Sequence, residues 1–418
     1  MKILTFLGAG TAYETTYVMP DGRDYTAPFF GVALARFYPD SDIRVFVTEA
    51  ARERHLEKFA SLTEDFAADI TPVDISDGRD EEELWHIFQA VVDNVEEDEK
   101  VLFDITHGFR SLPFLSFLAA AYLREVKNIQ LTGLLYGNFE ARDKSMTPNR
   151  APVIDLTRFV DLLDWMIAAD RFTRFGDARD LANQLRKARP DYRAQQRSQE
   201  IRNQAIRLSQ AAKAMDNVSL ALRLIRPAEA MDASESLQQR LSDGVEVISQ
   251  YARPFQPLTQ RVTDAYAPLA MSRKAQENDP QGALARERRM VQWYLERGQY
   301  VQAMAVAREW IISWAMWHLG FTEFSDKEMR EEIERALGEA NKQRENQHGQ
   351  FGNRYFETRK SLQDIPEIEK GLDLYREIGA TRNDLLHAGK RTKPKPADQM
   401  EKTIEKLCAQ LQELPLSE

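Results

Sequence analysis

Val101-Leu-Phe-Asp-Ile-Thr-His-Gly-Phe-Arg-Ser-Leu-Pro113 decides the fold of the amino-terminal part of the chain. The apolar run Val101–Ile105 reads as a strand covered on both faces, and Thr106–Arg110 as the turn leaving its carboxyl end. Pro113 falls in the first turn of the next segment, where its missing donor does no harm, so a helix is expected over Leu112–Arg124. The same alternation continues outward. Strands are expected at Lys2–Leu7, Ile43–Thr48, Ile70–Asp74 and Ile129–Tyr136, with a short one near Val153–Asp155. Helices are expected at Phe29–Tyr38, Glu49–Ala68 and Glu81–Asn94. Strands joined by crossover helices make a parallel, Rossmann-like α/β sheet. The polar stretch Asn138–Arg150 reads as a turn.

From Thr157 onward strand signals vanish and Ala, Leu, Arg, Gln and Glu dominate, so an all-α region is expected. Pro190, Pro227, Pro254, Pro257 and Pro268 divide its helices. The polar segment Gln276–Ala283 suggests a boundary. After it, helices are expected at Arg286–Leu295, Tyr300–Leu319, Asp326–Asn341, Pro366–His387 and Ala397–Leu414, with a loop at Asn341–Asn353. The expected organisation is therefore residues 1–160, 161–285 and 286–418.

At 418 residues the chain is too long for one ordinary core. Its 43% hydrophobic and 29% charged residues lie in the globular range. The net charge of −10 argues against binding a polyanion over the whole surface, so any nucleic acid must meet a local basic patch. The single cysteine, Cys408, leaves no disulfide framework or thiolate zinc site, which fits a reducing cytoplasm. With no secretory or membrane-spanning run, a soluble cytoplasmic protein is expected.

In an open parallel sheet, ligands bind beyond the carboxyl ends of the strands. Lys2–Leu7 runs into Gly8-Ala9-Gly10-Thr11, whose glycines let a ligand approach the backbone. No third glycine opens a helix as a dinucleotide fingerprint requires, so a nicotinamide cofactor is not expected. Thr106, His107, Gly108 and Arg110 gather a hydroxyl, an imidazole, a free backbone and a guanidinium before a helix amino terminus, a place suited to an anion. A helix-capping Thr or Ser with Arg110 as a surface residue is the ordinary alternative. Tyr136, at the end of another strand, could stack on a base or simply pack at the rim.

The Asp104-Ile-Thr-His-Gly-Phe-Arg110 run, behind a domain that begins with the Gly8–Thr11 loop, resembles the CRISPR-associated Rossmann-fold (CARF) sensor domain of type III CRISPR ancillary proteins. The likeness covers about the first 160 residues. It implies binding of a cyclic oligoadenylate, expected here as cyclic tetra-adenylate, across the two-fold axis of a homodimer. It also implies Gly8, Gly10, Thr11, Thr106, His107, Gly108, Arg110 and Tyr136 as ligand contacts. No other cofactor is expected.

A second signal is Arg382-Asn383-Asp384-Leu385-Leu386-His387. Ile368, Leu372, Tyr375, Ile378, Leu385 and Leu386 recur at helical spacing, and Arg382 falls within that apolar stripe. A guanidinium there needs a compensating anion, either a carboxylate or a phosphate. Asn383 and His387 lie four apart on one face. His387 is in the last turn, before Gly389 as a C-cap, where the helix dipole favours an imidazolium. Lys390, Arg391, Lys393 and Lys395 follow as a phosphate-attracting patch or a solvated basic tail.

Arg382-Asn383-x-x-x-His387 resembles the signature of the higher eukaryotes and prokaryotes nucleotide-binding (HEPN) ribonucleases, over about residues 290–414. The resemblance implies a composite site formed by two copies at a dimer interface, and metal-independent cleavage of single-stranded RNA. His387 would move protons, Arg382 would stabilise charge on the phosphorane and Asn383 would orient either group. Lys390, Arg391 and Lys393 would hold RNA. Glu309, on the first long helix of that bundle, could pair with a basic group, and His348 could approach substrate. No metal-ligand spacing stands out. His318, Trp310, Trp314 and Trp317 read as packing, and His55 and His86 as surface residues. The expected function is a cyclic oligoadenylate-activated endoribonuclease of antiviral defence. The alternative is a nucleotide-responsive DNA-binding regulator whose reader would be the helices around Arg186, Arg189, Arg193, Arg197, Arg202 and Arg207.

Overall fold

In the computed structural model, which describes residues 1–108, 111–346, 349–390 and 394–417, the chain first lays down β1 (Lys2–Leu7), a hairpin of β2 (Thr15–Val18) and β3 (Asp24–Ala27), then β4 (Asp42–Val47), β5 (Asp69–Asp74), β6 (Lys100–Asp104), β7 (Gln130–Gly137) and β8 (Asn149–Asp155). They join in one sheet in the order β3-β2-β8-β7-β6-β1-β4-β5. The stretch from β7 to β5 is parallel, while β8 runs antiparallel to β7 and β3 antiparallel to β2.

The period of two fits β1 to the middle of the parallel stretch, where both faces are covered. Ile3 and Leu7 face a core with Phe30, Val32, Leu34, Val45 and Leu102, and Leu4 and Phe6 face another with Phe46, Phe103, Val91 and Leu123. Helices Phe30–Phe37, Glu81–Asp93 and Leu112–Val126 fall where the sequence puts them, within two residues. The helix expected over Glu49–Ala68 ends at Thr63 and contains a π turn, Arg52–Leu56.

The β2–β3 hairpin is absent from the sequence reading. Its signal is Thr-Thr-Tyr-Val and Asp-Tyr-Thr-Ala around a Pro20-Asp21-Gly22 turn. Met19 and Arg23 close that turn through a backbone hydrogen bond of 2.8 Å, and Gly22 takes a φ of +91°.

The chain divides into two compact units, Met1–Asp164 and Trp165–Glu418. The second is helical and has one continuous core. Gln276–Ala283 is a helix junction within it: Gln276 Nε2 donates to the Ala228 and Met271 carbonyls at 3.0 and 2.8 Å, and Asp279 caps the Pro280–Leu295 helix through the Gly282 amide. The expected loop at Asn341–Asn353 begins later, because the Lys327–Asn346 helix continues past Asn341, whose amide donates to the Leu372 carbonyl at 3.0 Å. His348 lies outside the described residues.

Trp310 and Trp314 are fully buried and His318 nearly so, as packing requires. Trp314, Trp317 and His318 direct ring nitrogens at the Pro415 and Leu416 carbonyls, at 2.8 to 3.1 Å. Among the described residues no helix is long and apolar enough to cross a membrane.

Candidate functional site

In the amino-terminal unit the chain turns back at β1. Strands β4 and β5 extend the sheet to one side, and β6, β7 and β8 extend it to the other. The helices that follow adjacent strands β1 and β6 therefore pack on opposite faces of the sheet, which makes this a topological switch point, the place where a ligand crevice is expected. Gly8, Gly10 and Thr11 leave β1, Thr106, His107 and Gly108 leave β6, and Tyr136 ends β7, so the sequence-expected contacts converge. Arg110 lies outside the described residues. A Cβ on Gly8 would run into the His107 carbonyl, so glycine allows the two loops to touch.

Several of these side chains hold the site together. Thr5 and Asp104 are cross-strand neighbours, and Thr5 Oγ1 donates to the Asp104 carboxylate at 2.6 Å. The Thr106 amide donates to the same carboxylate at 2.8 Å, while Thr106 Oγ1 accepts from the Gly137 amide at 2.8 Å. Full burial pushes the Asp104 carboxyl up to about 6, although the hydrogen bonds from Thr106 and Thr5 oppose the shift.

His107 turns inward. Its Nε2 accepts from the Phe30 amide at 3.1 Å and lies 3.1 Å from the Tyr17 hydroxyl. Burial, with a smaller contribution from His55, brings the imidazole down to about 4. The ring is neutral at pH 7.

His55 is not a free surface residue as the sequence suggested. The π turn that carries it aims Arg54 Nη1 at the Ala9 carbonyl, 2.5 Å away, and His55 Nε2 at the Gly10 carbonyl, 2.7 Å away. A π turn inside a helix is a frequent mark of a functional segment, but its sequence carries no periodic signal for one. Beside the crevice loops, exposed Tyr13 stacks on Phe139 with centroids 5.5 Å apart, and the Arg142 guanidinium lies 3.9 Å from the Phe139 ring.

In the helical unit, the Ile368–Leu386 helix buries Leu374, Ile378 and Thr381. Arg382 falls at the flank of that face, not inside it. The guanidinium is half-buried on the wall of a cavity of about 1120 Å³, which Glu287, Glu309, Ser313 and Arg330 also line. Its hydrogen bond is to Asn383 Oδ1 at 3.3 Å, and among the described residues it forms no ion pair. Glu277, Glu287, Glu309 and Glu323 line the same cavity. Glu309 bonds Arg308 at 2.6 Å and Arg330 at 2.7 Å. Burial works against its charge, yet these two cations hold the carboxyl below its usual range. Burial pushes Glu287 up to about 7, with Arg330 opposing and Glu309 reinforcing the shift.

His387 caps the helix one turn after Asn383. Its amide donates to the Asn383 carbonyl at 3.0 Å and its side chain is exposed. Ala388 and Gly389 take positive φ values of 52° and 67°, ending the helix sharply as the C-cap reading requires. Lys390 is exposed, and Arg391 and Lys393 lie outside the described residues. Sequence reasoning missed Glu287 and Arg330, which reach the cavity from other helices. Among the described residues no cluster of His, Cys, Asp and Glu could hold a metal ion.

Comparison with known proteins gives these arrangements a context. A family model for the CARF domain of the CRISPR system endoribonuclease Csx1 matches residues 2–140, and one for the second domain of CRISPR-associated protein MJ1674 matches residues 161–269. The chain is similar to CRISPR-associated protein MJ1674 of Methanocaldococcus jannaschii, with 26% identity over 140 residues. That match takes in 31% of this chain and 22% of the relative. Csm6 of Enterococcus italicus, solved bound to cyclic hexa-2′-fluoro-hexa-dAMP, aligns over 98% of this chain and 92% of its own at 11% identity and a TM-score of 0.38. Residues 2–140, which build the Rossmann-like sheet, are thus similar to the CARF domain of a CRISPR-system protein, and residues 161–269 are similar to a second domain found behind it in another.

Proposed function

We propose that the protein is a cyclic oligoadenylate-activated, metal-independent endoribonuclease acting on single-stranded RNA. Residues 286–418 form its HEPN-like catalytic part, and 161–285 form a helical connector. The observation that carries this reading is the Arg382 guanidinium: it has no carboxylate partner among the described residues, stands on a cavity wall against Asn383 and precedes an exposed His387 by one helical turn and a half. An unpaired, half-buried cation of this kind suits a phosphate.

RNA carries its own nucleophile in the 2′-hydroxyl. His387, exposed at the helix end, relays protons between that hydroxyl and the leaving oxygen. Arg382 stabilises the charge that grows on the phosphorane, and Asn383 restrains the guanidinium through its 3.3 Å hydrogen bond. Lys390 adds positive potential next to the site, and Arg391 and Lys393 share that role in the proposal. A homodimer supplies the second copy of the motif.

The crevice residues Gly8, Gly10, Thr11, Thr106, Gly108 and Tyr136, with Arg110 and the His107 backbone, receive the cyclic oligoadenylate. Because His107 and Thr106 bond inward, their contribution is to fix the shape of the loop that meets the ligand. Titration with cyclic tetra-adenylate tests the sensor half: one ring bound per two chains, with faster RNA cleavage, is expected. A chain that neither binds the ring nor cleaves RNA faster with it contradicts the proposal.

A further inference from the structure

The helices around Arg186 to Lys213 carry a concentration of positive charge that the ribonuclease reading leaves unused. Between Arg179 and Lys213 the chain has nine Lys or Arg against three Asp or Glu, in a protein of net charge −10. Two of those three acids are committed locally: Asp180 pairs with Arg171, and Asp191 caps the Ala194 amide at 2.7 Å. Arg179 and Arg186 are neutralised by Asp177 and Asp216. Lys187, Arg189, Arg193, Arg197, Arg202, Arg207 and Lys213 are all exposed, and among the described residues none forms an ion pair.

From sequence, these cations scatter over several helical faces. Packing brings part of them into register. The Gln199–Arg223 helix buries Ala205, Leu208, Ala212 and Met215, which leaves Arg202, Ile206, Ser209 and Lys213 as a ridge on the other side. The Arg179–Lys187 helix packs along it, and Arg189, just beyond that helix, reaches Ser209 Oγ at 3.1 Å. Arg189 thereby joins the ridge between Arg202 and Lys213, which stand about 16 Å apart along the axis. Tyr192, 71% exposed, follows Arg189 closely in the chain and presents a ring to solvent.

We propose that this ridge is a docking surface for single-stranded RNA, which Arg189, Arg202 and Lys213 hold by its phosphates and on whose bases Tyr192 stacks. Charge complementarity selects a polyanion. A cationic track beside an exposed aromatic ring suits an unpaired strand, whose bases are free to stack. A duplex reader instead inserts a helix into the major groove, and here the ridge helix is packed laterally against its neighbour. The inference deepens the ribonuclease reading by naming a surface that retains substrate. It takes the identity of the strand from that reading.

The test uses the full chain and a fluorescent 20-nucleotide, fully 2′-O-methylated RNA, which lacks the hydroxyl needed for cleavage. Affinity is followed by anisotropy as salt is raised, for the wild type and for the combined Arg189→Gln, Arg202→Gln and Lys213→Gln variant. Each single-strand phosphate contact contributes about 0.7 to the slope of log affinity against log salt, so the triple variant should lose about 2 from that slope and bind about 100-fold more weakly at 0.1 M salt. All three side chains are exposed, so an unchanged thermal melt should accompany that loss. Tyr192→Ala should weaken binding with no change in slope. An unchanged slope and affinity in the triple variant overturns the proposal, as does tighter binding of duplex DNA of the same length. Retained probe binding with no cleavage of ordinary RNA under any condition would sink the ribonuclease reading and leave the docking surface standing.

Discussion

His107 Nε2 accepts the Phe30 amide at 3.1 Å, so the imidazole of the Thr106–Arg110 run anchors the start of the Phe30–Phe37 helix to the loop after β6. Protonation would remove that acceptor. With the folded imidazole down at about 4 and an ordinary unfolded value near 6.5, the contribution of His107 to stability is complete above pH 6.5 and is lost as pH falls through 4. The loss amounts to about 3 kcal/mol. His107→Gln, which keeps an acceptor for Phe30, should remove this part of the acid dependence, as urea unfolding between pH 7 and 4 would register.

Asp104 acts with the opposite sign. Its carboxyl is raised to about 6 in the fold, so its favourable contribution is full below pH 3.8 and is lost as pH rises through 6. At pH 7 the buried charge therefore costs about 3 kcal/mol relative to a neutral group. Asp104→Asn retains an oxygen for the Thr106 amide and an amide for Thr5 Oγ1. The variant should be more stable than the wild type at pH 7 and indistinguishable from it near pH 4. Equal stability gains at both pH values would contradict this account.

The contact between Gly8 and the His107 carbonyl leaves no room for a side chain. Gly8→Ala should destabilise the amino-terminal unit by about 1–3 kcal/mol and abolish cyclic tetra-adenylate binding, because separating the loops opens the crevice floor. Gly10 has free space around the position of a Cβ, so Gly10→Ala should leave the fold unchanged. Denaturant unfolding and calorimetric titration of the two variants separate these effects.

The amino-terminal sheet is well legible in the sequence because its central strands are covered on both faces and announce themselves as apolar runs, Lys2–Leu7 and Val101–Ile105 among them. The β2–β3 hairpin was not: Thr15–Val18 and Asp24–Ala27 are four residues each, and threonine and tyrosine there serve a strand or a loop equally well. The crevice loops were legible as a set, whereas the inward turn of His107 depends on Phe30, 77 residues away. Periodicity put Arg382 in the apolar stripe. Packing chose Thr381 as the inward position and moved the guanidinium about 100° from it, toward the cavity. Glu287 and Arg330 come to that cavity from separate helices, so no local spacing could disclose them.

Glu309 offers a control for the catalytic reading. It is held by Arg308 and Arg330, but its side chain is half exposed, so Glu309→Gln should weaken two charge-assisted bonds and lower stability by about 1 kcal/mol. Arg382 has no such partner among the described residues, and Arg382→Ala should change stability by less than about 1 kcal/mol. Thermal melts of the two proteins provide the comparison.

The central claim is that Arg382 and His387 act on the phosphodiester of RNA. Cleavage of a fluorescent single-stranded RNA is measured in EDTA with cyclic tetra-adenylate for the wild type, Arg382→Ala and His387→Ala. The account predicts ligand-stimulated cleavage by the wild type, a fall of about 10²–10³-fold for Arg382→Ala and of about 10²–10⁴-fold for His387→Ala, with both variants still folded and still binding the ring. Wild-type rates in both variants would contradict it.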